Sequence, residues 1–149
     1  KCEELREITV KLREFIDKNV NVYDCITYLL NKIKQINQKE LYEMYNIEDM
    51  ILTWSNKSIG EFTNYLKNKF VVKKYMLKEN KLGFNNGDIF IGNNPQCNSI
   101  EQQAFTVHSI QGETCKTKLF INIDDMKDIK MIYTAISRAQ YLSQIFLIV

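Results

Sequence analysis

Three groups of residues in this sequence have the types and spacing to do chemistry on a phosphorylated ligand. Arg138 closes the run Tyr133-Thr-Ala-Ile-Ser-Arg, at the end of a stretch with helical apolar spacing. Its guanidinium is a planar fork of donors, always charged, that matches a γ-phosphate in a two-pronged way. The same arginine also suits the carboxyl end of a helix dipole, which is worth ~0.3–1 kcal/mol and needs no ligand. Gln111-Gly112-Glu113-Thr114 forms a polar corner. There Gly112 frees the backbone to turn tightly, Glu113 accepts the hydrogen bonds that ribose hydroxyls donate, and Gln111 both donates and accepts. Alone, that corner is equally an exposed polar turn. Thr106 and His108 precede it closely, and Ser55-Asn56 follows a short apolar run. Hydroxyl, imidazole, amide and backbone donors of this kind bind phosphate oxygens. A lone His between Val107 and Ile110 is otherwise an ordinary packing residue.

Order and separation say more than any block by itself. Ala104-Phe-Thr-Val-His-Ser-Ile-Gln-Gly-Glu-Thr114 is followed by an apolar strand at 119–123 and then by Ile132-Tyr-Thr-Ala-Ile-Ser-Arg-Ala139. The pair resembles the fifth and sixth motifs of superfamily 1 helicases, the UvrD- and RecD-like motor proteins. The likeness is greatest to the RecD-like branch, with its T-x-H-x-x-Q-G and Y-x-A-x-[ST]-R-A signatures. It is specific over residues 104–139 and moderate over 50–66, where Ser55-Asn56 looks like the fourth-motif turn that meets a nucleic-acid backbone. UvrD itself has G-L-E at the corner, and RecD-like relatives vary between Thr and Glu at the position of Glu113.

The resemblance implies the C-terminal RecA-like half of a motor. The expected fold is a doubly wound, mainly parallel α/β domain of the P-loop NTPase kind without its own P-loop. It implies that Arg138 is an arginine finger and that Gln111, Gly112, Glu113 and Arg138 line an ATP cleft. Ser55, Asn56, Thr106 and His108 are implied to grip single-stranded nucleic acid, DNA ahead of RNA. ATP and Mg2+ are implied to be held mainly by an N-terminal RecA-like domain of the same protein. Residues 119–125, Leu-Phe-Ile-Asn-Ile-Asp-Asp, imitate a strand whose terminal carboxylates serve magnesium. Such a site needs a G-x-x-x-x-G-K-[ST] loop, and none occurs in this sequence. Asp124 and Asp125 therefore read as a solvated strand end, and the chain alone as unable to hydrolyse ATP.

The elements that must position these residues follow from periodicity. Leu5, Ile8, Leu12, Phe15 and Ile16 share one helical face. A break at 19–23 precedes a second helix, with Asp24 as cap and Ile26, Leu29, Leu30, Ile33 and Ile36 as its stripe. A third helix covers 39–45, closing a helical lead-in over 1–48 ahead of an α/β core over 49–149. Residues 50–54 form a strand, and Ser58 with Glu61 suggests a capping box for the helix carrying Phe62, Tyr65 and Leu66. Val71, Val72, Tyr75 and Met76 suggest an edge strand, and 89–91 a short strand after the Asn85-Asn86-Gly87-Asp88 turn. Many relatives carry a β-rich insertion hereabouts. The stretch 95–104 is too short for one, so an insertion is expected to be absent or trimmed. Residues 118–123 form a strand and 128–137 a helix. The apolar run 145–149 reads as a strand buried on both faces, as in a parallel sheet.

Composition sets the outer bounds. The 149 residues make one domain, 45% hydrophobic and 26% charged, with a net charge of +2. That charge is too small to argue for nucleic acid by itself. No apolar run approaches the ~20 residues of a membrane span, so no membrane partner is expected. The chain opens on Lys1 rather than Met, as a fragment of a longer protein does. Cys2, Cys25, Cys97 and Cys115 are scattered, and with a single His they offer no zinc set. They read as reduced thiols of an intracellular protein; the resemblance implies the cytoplasm or a site of DNA replication. Two other function classes stay open: a non-catalytic RecA-like module that binds nucleic acid or protein, and a phosphate- or nucleotide-binding α/β domain unrelated to helicases.

Overall fold

A computed structural model describes residues 2–81, 83–110 and 113–149. Helix α1 (Glu3–Asp17) buries Leu5, Ile8 and Leu12, the face that its apolar spacing marks. Helix α2 (Val22–Leu30) begins one turn earlier than expected, because Asn21 rather than Asp24 caps it. The Asn21 side chain accepts the Tyr23 N–H at 2.7 Å, while Asp24 lies inside the first turn. Asn19, at φ 53, has already reversed the chain, so the first free side-chain acceptor is Asn21. Asp24 keeps a role there, since a carboxylate suits the positive end of the dipole.

The apolar stripe of α2 does not run on to Ile36. The helix stops at Leu30, and Ile36 belongs instead to β1 (Lys34–Ile36), within the segment that reads as helical lead-in. Spacing of three fits a helix, but here an edge of the main sheet offers a full ladder of hydrogen bonds, and the tertiary partner decides. Helix α3 (Gln38–Met44) has the reciprocal capping box of Asn37 and Glu40. Strand β2 (Met50–Thr53) leads into α4 (Asn56–Leu66), capped by Ser55, whose Oγ accepts the Ser58 N–H at 3.2 Å. The expected Ser58–Glu61 box does not form, because Ser58 is already in the first turn.

Residues 73–101 correct two expectations. Strands β3 (Lys73–Leu77), β4 (Ile89–Gly92) and β5 (Ser99–Glu101) form an antiparallel sheet in the order β4-β3-β5. Tyr75 and Met76 therefore lie in a central strand, not an edge, while Val71 and Val72 precede it and Val71 is exposed. A small β unit is present between α4 and the rest of the core, and it starts at Lys73, well before the 95–104 stretch. Strands β3 and β4 overlap the expected strands, whereas β5, only three residues long and reading Ser-Ile-Glu, has no apolar pattern to reveal it.

Strand β6 (Phe105–Thr106), β7 (Leu119–Asn122), α5 (Ile129–Ile136) and β8 (Ile145–Ile148) complete the chain. The main sheet runs β1-β8-β7-β2-β6, with every neighbouring pair parallel. Alternate residues of each strand face opposite helical layers. Leu52, Leu119, Ile121 and Leu147 pack with α1, α2 and α5 on one side. Ile51, Phe120 and Ile148 pack with α3 and α4 on the other. This is the expected doubly wound, mainly parallel α/β sheet, and β8 buries Ile145, Leu147 and Ile148 while Phe146 is half-buried.

Candidate functional site

Register places the first set of residues. Thr53, the last residue of β2, is paired with Thr106, the last of β6. Both chains then leave the carboxyl edge of the parallel sheet, the edge where open α/β sheets bind ligands. One exits through Ser55 and Asn56 into α4, the other through a 3-10 turn at His108–Ile110. Asn56 and Thr106 line one cleft of ≈ 540 Å3, floored by Ile59, Met76 and Ile100. Ser55 is half-buried because its hydroxyl caps the helix, and His108 is exposed. The four residues expected to hold a nucleic-acid backbone thus sit on two adjacent turns of one edge.

Arg138 lies elsewhere. Helix α5 runs from the carboxyl end of β7 back toward the start of β8, so the residues after it reach the opposite, amino edge. Ala135, Ile136 and Ala139 are buried and fix the end of the helix, leaving Arg138 half-buried. Its Nε donates to Thr134 O and its Nη1 to Glu113 O, each at 3.2 Å. The remaining guanidinium donors have no partner among the described residues. The backbone joins the same two segments, since Cys115 N–H donates to Arg138 O at 2.7 Å. Burial pushes the Cys115 thiol up, so it packs there as a protonated, unreactive group. Residues 25 positions apart are thereby brought together, Glu113 with its exposed side chain beside Arg138. Gln111 and Gly112, the other expected nucleotide contacts, lie outside the described residues.

Asp125 overturns its expected place as a solvated strand end. It sits in a 3-10 turn (Ile123–Asp125) directly after β7, and its carboxylate is reached by three donors. Thr53 Oγ1 donates to Oδ2 at 2.6 Å, Ser58 Oγ to Oδ2 at 2.8 Å, and Trp54 N–H to Oδ1 at 3.1 Å. Asn122 Nδ2 donates to Thr53 Oγ1 at 3.2 Å. Asp124 is exposed, as expected. Sequence spacing missed this cluster because its members are some 70 residues apart and meet only through the pairing of β2 with β7. The one available signal was a hydroxyl and a carboxylate at the ends of two apolar strands.

A second buried polar group was also missed. Lys74 of β3 is almost wholly buried, donating to Tyr45 OH at 2.9 Å and Asp49 O at 2.7 Å. Tyr45 OH in turn donates to Gln103 Oε1 at 2.7 Å. This network fastens the small antiparallel sheet to the main one. Among the described residues no three His, Cys, Asp or Glu side chains are placed to hold a metal ion.

No protein-family model matches the chain, and no curated protein matches it. Solved structures do. A structure of Pif1 helicase, concerned with DNA unwinding at forked double-stranded DNA by two coordinating Pif1 helicases, superposes with a TM-score of 0.64 at 14% identity. The match covers 99% of this chain and 47% of that one. The Bacteroides sp. Pif1 structure in complex with ADP-AlF4 gives a TM-score of 0.56 at 15% identity, over 99% of this chain and 49% of that one. The chain spans about half the length of each helicase chain it matches. Its fold is the α/β RecA-like fold found in these superfamily 1 helicases.

Proposed function

We propose that this chain is the C-terminal motor domain of an ATP-dependent superfamily 1 DNA helicase. In this reading Arg138 is the arginine finger, Gln111, Gly112 and Glu113 line the nucleotide cleft beside it, and Ser55, Asn56, Thr106 and His108 grip single-stranded DNA. The observation that carries the reading is the convergence of Arg138 on the Glu113 backbone at 3.2 Å. That contact makes one surface of two motifs that are separate in sequence, within a fold shared with Pif1 helicases.

The chemistry divides between domains. ATP bound with Mg2+ supplies the phosphoryl group whose transfer to water drives the motor. An N-terminal RecA-like domain, carrying the phosphate loop and acidic residues, holds most of it. On this chain, Arg138 offers guanidinium donors to the charge that develops in the transition state. The Glu113 side chain accepts from the sugar. The turns at 55–56 and 106–108 offer hydroxyl, amide and imidazole donors to phosphates of the strand. Closure of the cleft moves this grip relative to that of the other domain.

Steady-state ATP hydrolysis by the full-length protein, with and without single-stranded DNA, tests the reading. Strand-stimulated hydrolysis is expected. A full-length protein that binds single strands but never hydrolyses ATP instead supports the non-catalytic binding module.

A further inference from the structure

The Asp125 cluster does something neither the finger nor the grip explains. One carboxylate gathers the last residue of β2 through Thr53 Oγ1, the backbone entering the turn through Trp54 N–H, and the first turn of α4 through Ser58 Oγ. These groups bracket Ser55 and Asn56. Two hydroxyls at 2.6 and 2.8 Å on one carboxylate oxygen are charge-assisted hydrogen bonds, the strong class. They bridge 67 and 72 positions of sequence, so they order the turn relative to a different part of the chain. Asp125 is joined to α5 by only three residues. One of them, Asp128, caps that helix by accepting the Met131 N–H at 2.7 Å. The body of α5 is rigid: Ile129, Met131, Ile132, Ala135 and Ile136 are all buried against the sheet and α1. At a rise of ~1.5 Å per residue it spans only ~12 Å before reaching Arg138.

We propose that Asp125 is a positioning residue that fixes the 55–58 turn to the β7–α5 segment, so that movement of Arg138 on nucleotide binding is passed through α5 to the strand grip. The proposal rests on the helicase reading above and adds to it the route by which the two edges of the sheet communicate. A rigid helix with a ligand contact at one end and a hydrogen-bonded clamp at the other transmits displacement as a body. Without the clamp, β2 and β7 stay paired, but the 55–58 turn loses its side-chain link to the segment that enters α5. Coupling of this kind is a free energy, and typical values change one ligand's affinity ~5–150-fold when the other binds.

The test is a linkage measurement on the full-length protein. Affinity for a single-stranded oligonucleotide is titrated without nucleotide and with ADP plus aluminium fluoride, for the wild type, Asp125→Ala and Asp125→Asn. The wild-type affinity is expected to shift at least ~5-fold between the two states, and that of Asp125→Ala less than ~2-fold. Asp125→Asn keeps the Trp54 acceptor and presents an amide to two hydroxyls that can themselves accept, so it should retain most of the shift. A merely structural role lowers the melting temperature while leaving the ratio of affinities intact. A folded Asp125→Ala protein with the full wild-type shift therefore overturns the proposal and leaves the helicase reading standing. A wild type that binds neither strand nor nucleotide overturns both. If Asp125→Ala does not fold, Ser58→Ala removes one arm of the clamp, together with the hydrogen bond that Ser55 Oγ donates to Ser58 Oγ at 3.1 Å, while the helix cap from Ser55 Oγ to Ser58 N–H remains. It should at least halve the shift on a logarithmic scale, and an unchanged shift counts against the clamp.

Discussion

Single side chains carry two opposing kinds of charge here. Lys74 is buried without a carboxylate in contact, and burial pushes its ammonium down to about 8 from an ordinary 10.5. The folded chain gives up this proton before the unfolded chain does. Burying the charge therefore costs stability below pH 8, and that cost is relieved as pH rises above 8. Cys25 acts in the other direction: burial raises its thiol from 9 to about 11, so folding loses stability above pH 9, where the unfolded thiol ionises first. The urea midpoint of the chain should thus rise from pH 8 to 9, and the rise should vanish in Lys74→Met. A flat wild-type profile over that interval would mean that the ammonium is solvated. At the carboxyl edge, replacing Thr106 and His108 together by Ala should weaken single-strand binding. It should also reduce the slope of log affinity against log salt by ~1 or less, because no lysine or arginine is removed. Unchanged affinity would place the strand elsewhere.

Elements explain why some of this was legible and some was not. Helices α1, α4 and α5 and strands β2, β7 and β8 carry unbroken apolar patterns, so their existence and the parallel α/β fold could be read directly from the sequence. Strand β1 has only three residues, and Ile33 and Ile36 fit a helical stripe as well as a strand. Only its pairing with β8 distinguishes the two. In the β3–β5 unit two strands were legible, but not the central place of β3: that strand carries Lys73 and Lys74, and the burial of Lys74 depends on Tyr45 and Asp49 far away in sequence. Arg138, Thr106 and Asn56 became candidates through the resemblance because each sits in a local motif, whereas Asp125 acts on residues that only the sheet brings near. The cap of α5 is local and readily tested. Asp128→Ala removes the acceptor for Met131 N–H and should cost ~1 kcal/mol by chemical denaturation, with Asp128→Asn costing much less. Equal losses for both variants would show that the charge rather than the hydrogen bond stabilises the helix.

At the scale of the whole molecule, the proposed function gives the two edges of one sheet separate tasks: nucleotide sensing beside Arg138 and strand contact beside Ser55 and Thr106. No G-x-x-x-x-G-K-[ST] loop lies in these 149 residues, so the purified chain by itself should not hydrolyse ATP above background. Turnover intrinsic to it would require a phosphate site that the present account lacks. The central claim is that Arg138 completes an ATP site shared with another domain. The most direct measurement is single-strand-stimulated ATP hydrolysis by the full-length protein carrying Arg138→Ala or Arg138→Lys, with melting temperature and nucleotide affinity recorded alongside. A finger acts on the transition state, so turnover should fall by ~10³–10⁵ while ATP affinity changes little. Lysine should restore little of it, because a point charge does not replace the planar fork. A folded Arg138→Ala protein that retains near-normal turnover would reduce Arg138 to a helix-end partner worth ~1 kcal/mol or less, and would contradict the account.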